Sequence, residues 1–349
     1  MKQSFYVYNN GDLKRKDNTL QFTNHDGEKR DIPVERISDI YVMSEMSFNT
    51  AFINYISQYG IPMHFFNYYN FYTGSYYPRE TLLAGRLLVR QVEHYTDYEK
   101  RIVLARKFIE AAADNIYRNL RYYNGRGKDV SVYMKEVDSL RKQIGGTTTI
   151  ESLMGVEGNI RKQYYAAWNI IINQEISFEK RVMHPPDNMI NSLISFVNTL
   201  IYTKVLGELY RTQLNPTISY LHEPGERRFS LSLDLAEVFK PLIGDRLIFS
   251  LLNRNQITEN SFTKELNFLH LKKDGKLGIA DDNDNDEDED EEDDDNEEVP
   301  EFKYEEKLPV GIDDHLNLYE YETFCYTNMK VTLKEKEIFK TEKRKLVFY

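Results

Sequence analysis

The spacing of apolar residues changes once along this chain, near residue 79, and this change constrains the fold more than any other feature. Before it, short runs of β-branched and aromatic residues are separated by turn signals such as Asn9-Asn10-Gly11 and Asp26-Gly27. These runs predict strands over residues 4–8, 19–22, 32–34, 37–43, 61–66 and 72–77, with one helix over residues 49–59. Residues 1–80 are therefore expected to form a β-rich, sandwich-like domain.

After residue 79 the apolar residues recur at intervals of three and four, with charged residues between them, as in amphipathic helices. The pattern predicts a long helical stretch over residues 82–123 and further helices over 130–144, 150–173, 188–213 and 230–252. The expected fold class is α+β, in which the β-rich domain is followed by a larger all-α domain over residues 81–272.

Composition limits the class of protein. The chain has 349 residues, of which 41% are hydrophobic, enough for a sizeable packed core. Cys325 is the only cysteine, which excludes an internal disulfide and any zinc site built from several cysteines. No uninterrupted apolar run of about 18 residues and no charged-then-apolar leader occurs, so we expect a soluble, cytoplasmic protein without a membrane span.

The net charge of −11 is concentrated in one acidic run. Residues 281–298 contain fifteen Asp or Glu and no Lys or Arg. Removing those fifteen from the 56 acidic residues leaves 41 against 45 basic ones, a net charge of +4. The rest of the chain is therefore mildly basic and suited to hold a phosphate backbone, provided its cations cluster on one face.

The acidic run has several interpretations. We expect residues 273–300 to form a disordered acidic insertion, because they offer too little apolar surface to offset chain entropy. The run could be a passive linker or an internal DNA mimic that competes for the basic face. A calcium loop is disfavoured because Glu287 stands where that loop needs glycine. Residues 301–349 form a C-terminal segment of uncertain structure.

Two separated segments carry residues suited to a divalent cation. In HEPGERRFSLSLDLAEVFKP, His222 precedes a predicted helix on which Asp234 and Glu237 lie three residues apart and thus on one face. Glu157, in GVEGNIRKQYYAAW, supplies a further carboxylate from another predicted helix. Two carboxylates with one imidazole suit Mg²⁺ or Mn²⁺, and the imidazole favours Mn²⁺. Taken singly, Glu157 could instead be a carboxylate favoured by a helix dipole, and the other acids a solvated face.

The motifs around these residues resemble the CRISPR-associated endonucleases that integrate new spacers. That family has a Glu in a GxEG turn and a His followed by an SLxxD helix. A third segment, RVMHPPDNMINSLISFVN over residues 181–198, is similar to the family's prolines, Asp and Asn that open a core helix. The matching residues there are Pro185, Pro186, Asp187 and Asn191. The resemblance extends from about residue 3 to residue 270.

The resemblance implies a metal-dependent DNA endonuclease and integrase. Such an enzyme inserts protospacer DNA into a CRISPR array by attack of a 3′-hydroxyl, without a covalent intermediate, and the chain has no motif for a Ser or Tyr nucleophile. Glu157, His222 and Asp234 would be catalytic and would bind Mg²⁺ or Mn²⁺, with Glu237 as a further ligand. Residues 81–272 would be the catalytic, DNA-binding domain. Residues 1–80 would join two chains into a homodimer, and two such homodimers would clamp a dimer of a small ferredoxin-like adaptation partner.

Basic residues near the motifs are candidates for contact with double-stranded and branched DNA, since each neutralised phosphate releases counterions. These candidates are Arg161, Lys162, Arg227, Arg228, Lys240 and Arg246. Two other functions remain open at this point. One is a catalytically silent DNA-binding scaffold, and the other is a repair nuclease that acts on branched DNA without a partner.

Overall fold

Two four-stranded sheets form the N-terminal region of the computed structural model. The structure describes residues 2–67, 71–79, 84–176, 178–182, 186, 188–225, 229–265 and 268–271. In chain order the strands are β1 (Gln3–Val7), β2 (Gly11–Lys16), β3 (Thr19–Asn24), β4 (Lys29–Pro33), β5 (Ile37–Val42), β6 (Met46–Phe48), β7 (Met63–Phe66) and β8 (Tyr72–Tyr76). The first sheet has the order β1-β5-β7-β8, and the second has the order β4-β3-β2-β6. Helix α1 (Thr50–Gln58) begins at Asn49, whose side chain accepts a hydrogen bond from the amide of Phe52.

The core of this region lies between the two sheets. Strands β1 and β3 bury alternate residues, as expected for strands buried on one face, whereas β5 is buried at five of its six positions and so has protein on both faces. The buried set combines both sheets with α1: Phe5, Val7, Leu13, Leu20, Phe22, Ile32, Ile37, Ile40, Val42, Phe52, Ile56 and Met63. The predicted β-rich N-terminal region is confirmed for the described residues.

Two strands were not predicted, because each of them buries few apolar residues. Strand β2 is largely polar, and of its residues only Leu13 is buried. Gly11 was expected to belong to a turn, but it opens β2 and pairs with Asn24. A Cβ at Gly11 would lie 2.2 Å from the carbonyl oxygen of Thr23, so the close approach of the strands requires glycine here. Strand β6 has three residues, too few to show a period.

Helices dominate the rest of the described chain. They are α2 (Gly85–Thr96), α3 (Tyr98–Gly125), α4 (Ser131–Ile144), α5 (Ile150–Ile171), α6 (Met189–Tyr210), α7 (Ser230–Phe239) and α8 (Asp245–Asn253). The stretch predicted as continuous over residues 82–123 is broken at Asp97, whose side chain accepts from the amide of Lys100 and thereby starts α3. The helix predicted over 230–252 is interrupted by a π-helical turn, Lys240–Gly244, that contains Pro241.

A short hairpin follows the last helix. Strands β9 (Phe262–Glu265) and β10 (Phe268–Leu271) pair antiparallel. Residues 81–272 are therefore not all-α, and the prediction was wrong at this point. The two four-residue strands are too short to distinguish from helix by periodicity.

Helix α6 is the central apolar element of the helical region. By length and composition it could cross a membrane, but 67% of its most apolar window is buried in the protein, as in a core helix. Its C-terminal half contacts the first sheet. Lys204 Nζ lies 3.0 Å from the buried Asp39 carboxylate, and Arg211 donates to the Ser38 carbonyl at 2.7 Å. α6 thus connects the sheets to the helices.

The remaining domain boundaries stay predictions. The described residues all belong to one compact unit. The predicted boundary between residues 80 and 81 falls outside the described residues. The acidic insertion at 273–300 and the segment at 301–349 also lie outside them, as do Pro185 and Asp187 of the third motif.

Candidate active site

His222 and Asp234 lie against each other at the start of α7. Asp234 is fully buried, and its Oδ2 accepts hydrogen bonds from the amides of Tyr220 at 2.7 Å and Leu221 at 2.9 Å. Its Oδ1 accepts from the amide of His222 at 3.0 Å and is 2.8 Å from His222 Nδ1. Both carboxylate oxygens are therefore used within the protein. With Nδ1 donating to Asp234, the lone pair of the imidazole lies on Nε2.

The loop that carries His222 is also held from outside by α2 and α3. The buried Arg101 donates from Nε to the carbonyl of Tyr220 at 2.8 Å, and its terminal nitrogen lies 2.7 Å from the Glu223 carboxylate. These two contacts hold the chain on either side of His222. Gln91 exchanges two hydrogen bonds with the backbone of Asn215 at the beginning of the same loop. Together with Asp234, these side chains fix the position of the imidazole.

For the DNA joining that the sequence resemblance implies, this arrangement predicts that Arg101→Gln lowers turnover about tenfold, because a residue that orients a functional histidine typically contributes that much. DNA affinity should stay near the wild-type value, since Arg101 is buried and does not face solvent. The experiment is single-turnover kinetics together with a DNA titration. Lys107→Gln, which removes an exposed cation paired with Glu110 on the same helix, is the matched control. A fall in DNA affinity in Arg101→Gln with turnover unchanged would contradict the prediction.

Glu157 and Glu237 come together around Arg161. Glu157 lies in the middle of α5, a helix that starts with a capping box between Thr149 and Ser152. Arg161, one turn after Glu157, forms ion pairs with both Glu157 and Glu237. Arg161 and Glu237 are mostly buried, and about a quarter of the Glu157 side chain is exposed. One guanidinium therefore joins carboxylates from α5 and α7.

A second cation lies next to Glu237. Lys240 Nζ is 2.5 Å from Glu237 Oε1. Burial raises the pKa of the Glu237 carboxyl, but Lys240 and Arg161 outweigh it and lower that pKa to about 2. His222 also acts to lower this pKa. Its imidazole contacts Asp234, which lies one helical turn before Glu237 on α7. Glu237 is ionised at neutral pH and pairs with both Arg161 and Lys240.

Asp245, which no sequence motif marked as functional, lies buried behind this group. Burial raises the pKa of the Asp245 carboxyl to about 7, against the lowering effect of Arg161 and the Tyr164 hydroxyl. Its Oδ2 has no hydrogen-bond partner among the described residues. A buried carboxylate without sufficient partners is held partly protonated near neutral pH.

A pH dependence follows for Asp245→Asn. The pKa of Asp245 is about 7 in the folded protein and 3.8 when unperturbed. Between about pH 4 and pH 7 the carboxyl is therefore ionised in the unfolded chain but protonated in the folded protein, so the wild type becomes less stable as the pH rises. The variant should therefore be more stable than the wild type by up to about 4 kcal/mol at pH 8, and by only about 1 kcal/mol at pH 4.5. Urea unfolding at both pH values measures this difference, with Asp26→Asn in an exposed turn as control. Equal pH dependence in wild type and variant would show the assignment to be wrong.

The donor atoms suit a divalent cation. Among the described residues, no three His, Cys, Asp or Glu side chains stand together as a complete metal site. However, Glu157 and Glu237, from two helices, already share one positive group, and His222 contacts Asp234 one helical turn before Glu237. Carboxylate oxygens with one imidazole nitrogen are ligands for Mg²⁺ or Mn²⁺. The residues therefore fit such an ion, which Glu157, Glu237 and His222 would hold.

The predicted DNA contacts occupy different places. Lys162 is exposed on α5. Arg246 donates from Nε to Asn119 Oδ1 at 2.7 Å, and Lys240 and Arg161 pair with the site carboxylates. Arg227 and Arg228 lie outside the described residues. The role of all six in DNA binding stays a prediction.

Comparison with known proteins gives the family. The model of the CRISPR-associated protein Cas1 family matches residues 5–282. The chain belongs to the Cas1 family. A CRISPR-associated endonuclease Cas1 from Fusobacterium nucleatum is 70% identical over 274 residues, which cover 78% of this chain and 81% of that protein. A Cas1 endonuclease from Thermodesulfovibrio yellowstonii is 44% identical over 78% of this chain and 83% of its own length. The resemblance inferred from the motifs is confirmed.

Solved structures agree with this family. A Cas1 protein from Thermotoga maritima, 40% identical, superposes with a TM-score of 0.70 over 79% of this chain and 87% of that one. A casposase bound to an integration product has the same TM-score at 19% identity, over 80% of each chain. At that identity the casposase shows a shared fold only. The α+β architecture of this chain is thus the architecture of Cas1.

Proposed function

We propose that this Cas1 protein is a metal-dependent DNA endonuclease and integrase that inserts protospacer DNA into a CRISPR array. The proposal rests on one observation. Two largely buried carboxylates, Glu157 and Glu237, lie on different helices and pair with the same guanidinium, that of Arg161. The same site contains His222, which Asp234 orients. Such a site is suited to hold positive charge next to a phosphodiester. The names of the curated relatives, which are endonucleases, and the integration product held by the casposase support the same chemistry.

The metal ligands in this proposal are Glu157, Glu237 and Nε2 of His222. From the sequence motifs, Asp234 was expected to be a direct ligand and Glu237 an additional one. The geometry favours the reverse assignment, because both oxygens of Asp234 already accept from the backbone and from His222 Nδ1. Asp234 then positions His222 and fixes its tautomer. When bound, Mg²⁺ or Mn²⁺ would activate the attacking hydroxyl and stabilise charge on the phosphoryl oxygens.

The chain's own cations have a second use in this scheme. Arg161 and Lys240 neutralise Glu157 and Glu237 when no other cation is present. Once those carboxylates have another positive partner, the guanidinium and the ammonium can donate to oxygens of the bound phosphodiester. The attacking group is water in hydrolysis and a DNA 3′-hydroxyl in integration. No side chain forms a covalent bond to DNA.

The proposed assembly follows the family. Residues 1–80 would form the dimerisation domain, and the homodimer would act with a dimer of a small ferredoxin-like partner on double-stranded and branched DNA. Structures with a shared fold include a complex that contains Cas1 and Cas2, with a TM-score of 0.66 at 16% identity. That likeness concerns the fold, so both contacts remain proposals for this chain.

The test is strand transfer by the purified full chain on a branched DNA that carries a free 3′-hydroxyl. We expect joined product with Mg²⁺ or Mn²⁺ and none with EDTA. A substrate with a 3′-dideoxy end should be cleaved but not joined, which separates hydrolysis from integration. DNA binding without cleavage or joining under any of these conditions would favour the scaffold function. Equal activity with and without the partner protein would favour a repair nuclease.

A further inference from the structure

The C-terminal part of α3 carries a basic and aromatic surface that the proposed site does not use. From residue 115 to residue 128 the chain has four basic residues and no acidic one. Arg118, Tyr122 and Arg126 follow each other at intervals of four and therefore lie on one side of the helix. We call these three residues the α3 stripe. All three are exposed, and 47% of Tyr122 is accessible to solvent.

Aromatic contacts hold the stripe residues in place, and no carboxylate of the described chain neutralises the two arginines. The Arg126 guanidinium lies 4.6 Å from the centre of the Tyr122 ring, a cation–π contact that keeps the arginine extended over the surface. Tyr123 anchors Tyr122 by packing edge-on against it and against Phe249 of α8. Within the described part of the chain, Arg118 and Arg126 form no ion pair with a carboxylate. Lys107 and Lys142, exposed cations of α3 and α4, pair with Glu110 and Asp138.

Helix α3 also fixes the distance between the stripe and the candidate site. Asn115 Nδ2 donates to the carbonyl of Val238 at 3.1 Å, next to Glu237 in the chain. Asn119 Nδ2 donates to the carbonyl of Pro241 at 2.7 Å, next to Lys240. Arg118 lies level with these two anchors along the helix, whereas Arg126 lies seven to eleven residues beyond them, roughly 10 to 16 Å at 1.5 Å per residue. That distance corresponds to about three to five base pairs at 3.4 Å each.

We propose that the α3 stripe is a second DNA contact, which holds the phosphate backbone of a duplex arm over the first three to five base pairs from the reacting phosphate. The inference rests on the proposed function, since it takes DNA as the substrate of the neighbouring site. Exposed guanidinium groups make bidentate hydrogen bonds to phosphate, and two guanidinium groups without a carboxylate partner in the described chain complement a polyanion. The stripe positions the arm without selecting a sequence, because phosphates carry no base information.

A structural role would explain part of the same pattern. Arg126 caps the C-terminal end of α3, where a cation interacts favourably with the helix dipole. That role predicts a small decrease in stability on substitution and no change in DNA binding. Arg118 lies two turns before the end of α3, where the effect of the helix dipole has decayed. Substitution of Arg118 therefore distinguishes a role in DNA binding from a role in capping the helix.

The test compares Arg118→Gln/Arg126→Gln with the wild type on branched DNA whose duplex arm is 3 or 12 base pairs long. The matched control is Lys107→Gln/Lys142→Gln, which removes two exposed cations that already have carboxylate partners. Dissociation constants are measured from 50 to 200 mM salt, and strand transfer is followed on both substrates. Arg118→Gln and Arg126→Gln are also measured singly, so that the comparison of arm lengths stays possible if the double variant is unstable.

On the long arm, the stripe variant should bind about tenfold more weakly at low salt, and its log–log salt slope should flatten by one to two units, close to 0.9 for each phosphate that is no longer neutralised. On the short arm the decrease should be no larger than that of Arg118→Gln alone, because three base pairs extend at most to the level of Arg126. The control should behave as wild type on both. An equal decrease on both arm lengths, or no decrease on either, would overturn the proposal. Failure of the proposed function looks different, because the wild type itself would then join neither substrate.

Discussion

Glu237→Gln should abolish strand transfer, with a decrease of about a thousandfold or more, because a metal supplies several kcal/mol of transition-state stabilisation and each 1.4 kcal/mol is a factor of ten. In our proposal Glu237 is a direct ligand, whereas Asp234 only orients His222. Binding of Mn²⁺, followed by calorimetry in the absence of DNA, should weaken with the activity. This readout does not depend on turnover.

The matched control for this prediction is Glu110→Gln, which removes a partly exposed carboxylate paired with Lys107. Glu237→Gln also leaves Arg161 and Lys240 without one buried anion, so its melting temperature must be measured alongside. A variant that stays folded, binds Mn²⁺ as the wild type does and joins DNA at the normal rate would refute the ligand assignment.

Asp234→Ala should be the most destabilising single substitution in the site. It removes the acceptor for three backbone amides and the His222 imidazole, all at a fully buried carboxylate. Each buried donor left without a partner costs about 1 to 3 kcal/mol, so the total is on the order of 4 kcal/mol or more. Thermal unfolding should show a fall of roughly 10 °C for a chain of this size.

Asp234→Asn provides the comparison, since it keeps the volume and part of the acceptor capacity. It should recover a good part of the stability but little of the activity, because an amide cannot fix the imidazole tautomer as a carboxylate does. If Asp234→Ala unfolds at the wild-type temperature but no longer binds the metal, Asp234 is a metal ligand rather than a positioning residue.

Much of the fold was predictable because burial imposes a period. The helices from α3 to α6 bury one face each or nearly the whole surface, and their three-and-four spacing is visible in the sequence. Strand β2 was missed because its apolar content is confined to Leu13. The break at Asp97 depends on one capping side chain inside an otherwise continuous helical pattern. Such helix boundaries depend on the hydrogen bonds of single capping side chains, which the spacing of apolar residues does not reveal.

The candidate site was predictable in its residues and not in their roles. Spacing placed Asp234 and Glu237 together on α7, and both are buried there. Spacing could not tell that the loop of His222 folds back so that three amides close on Asp234. Nor could it tell that Arg161, predicted as a DNA contact, joins Glu157 to Glu237. Asp245 had only a weak signal, a single acid in an apolar helix.

The π-helical turn Lys240–Gly244 limits how this part of the chain can change length. It joins α7, which carries Glu237, to α8, which begins at Asp245. Deleting one residue from the turn would rotate α8 by about 100° about its axis. Asp245 and Phe249 would leave the core together, and Tyr123 would no longer pack against Phe249. The turn can therefore accept substitutions by side chains that fit the available space, but it cannot accept insertions or deletions.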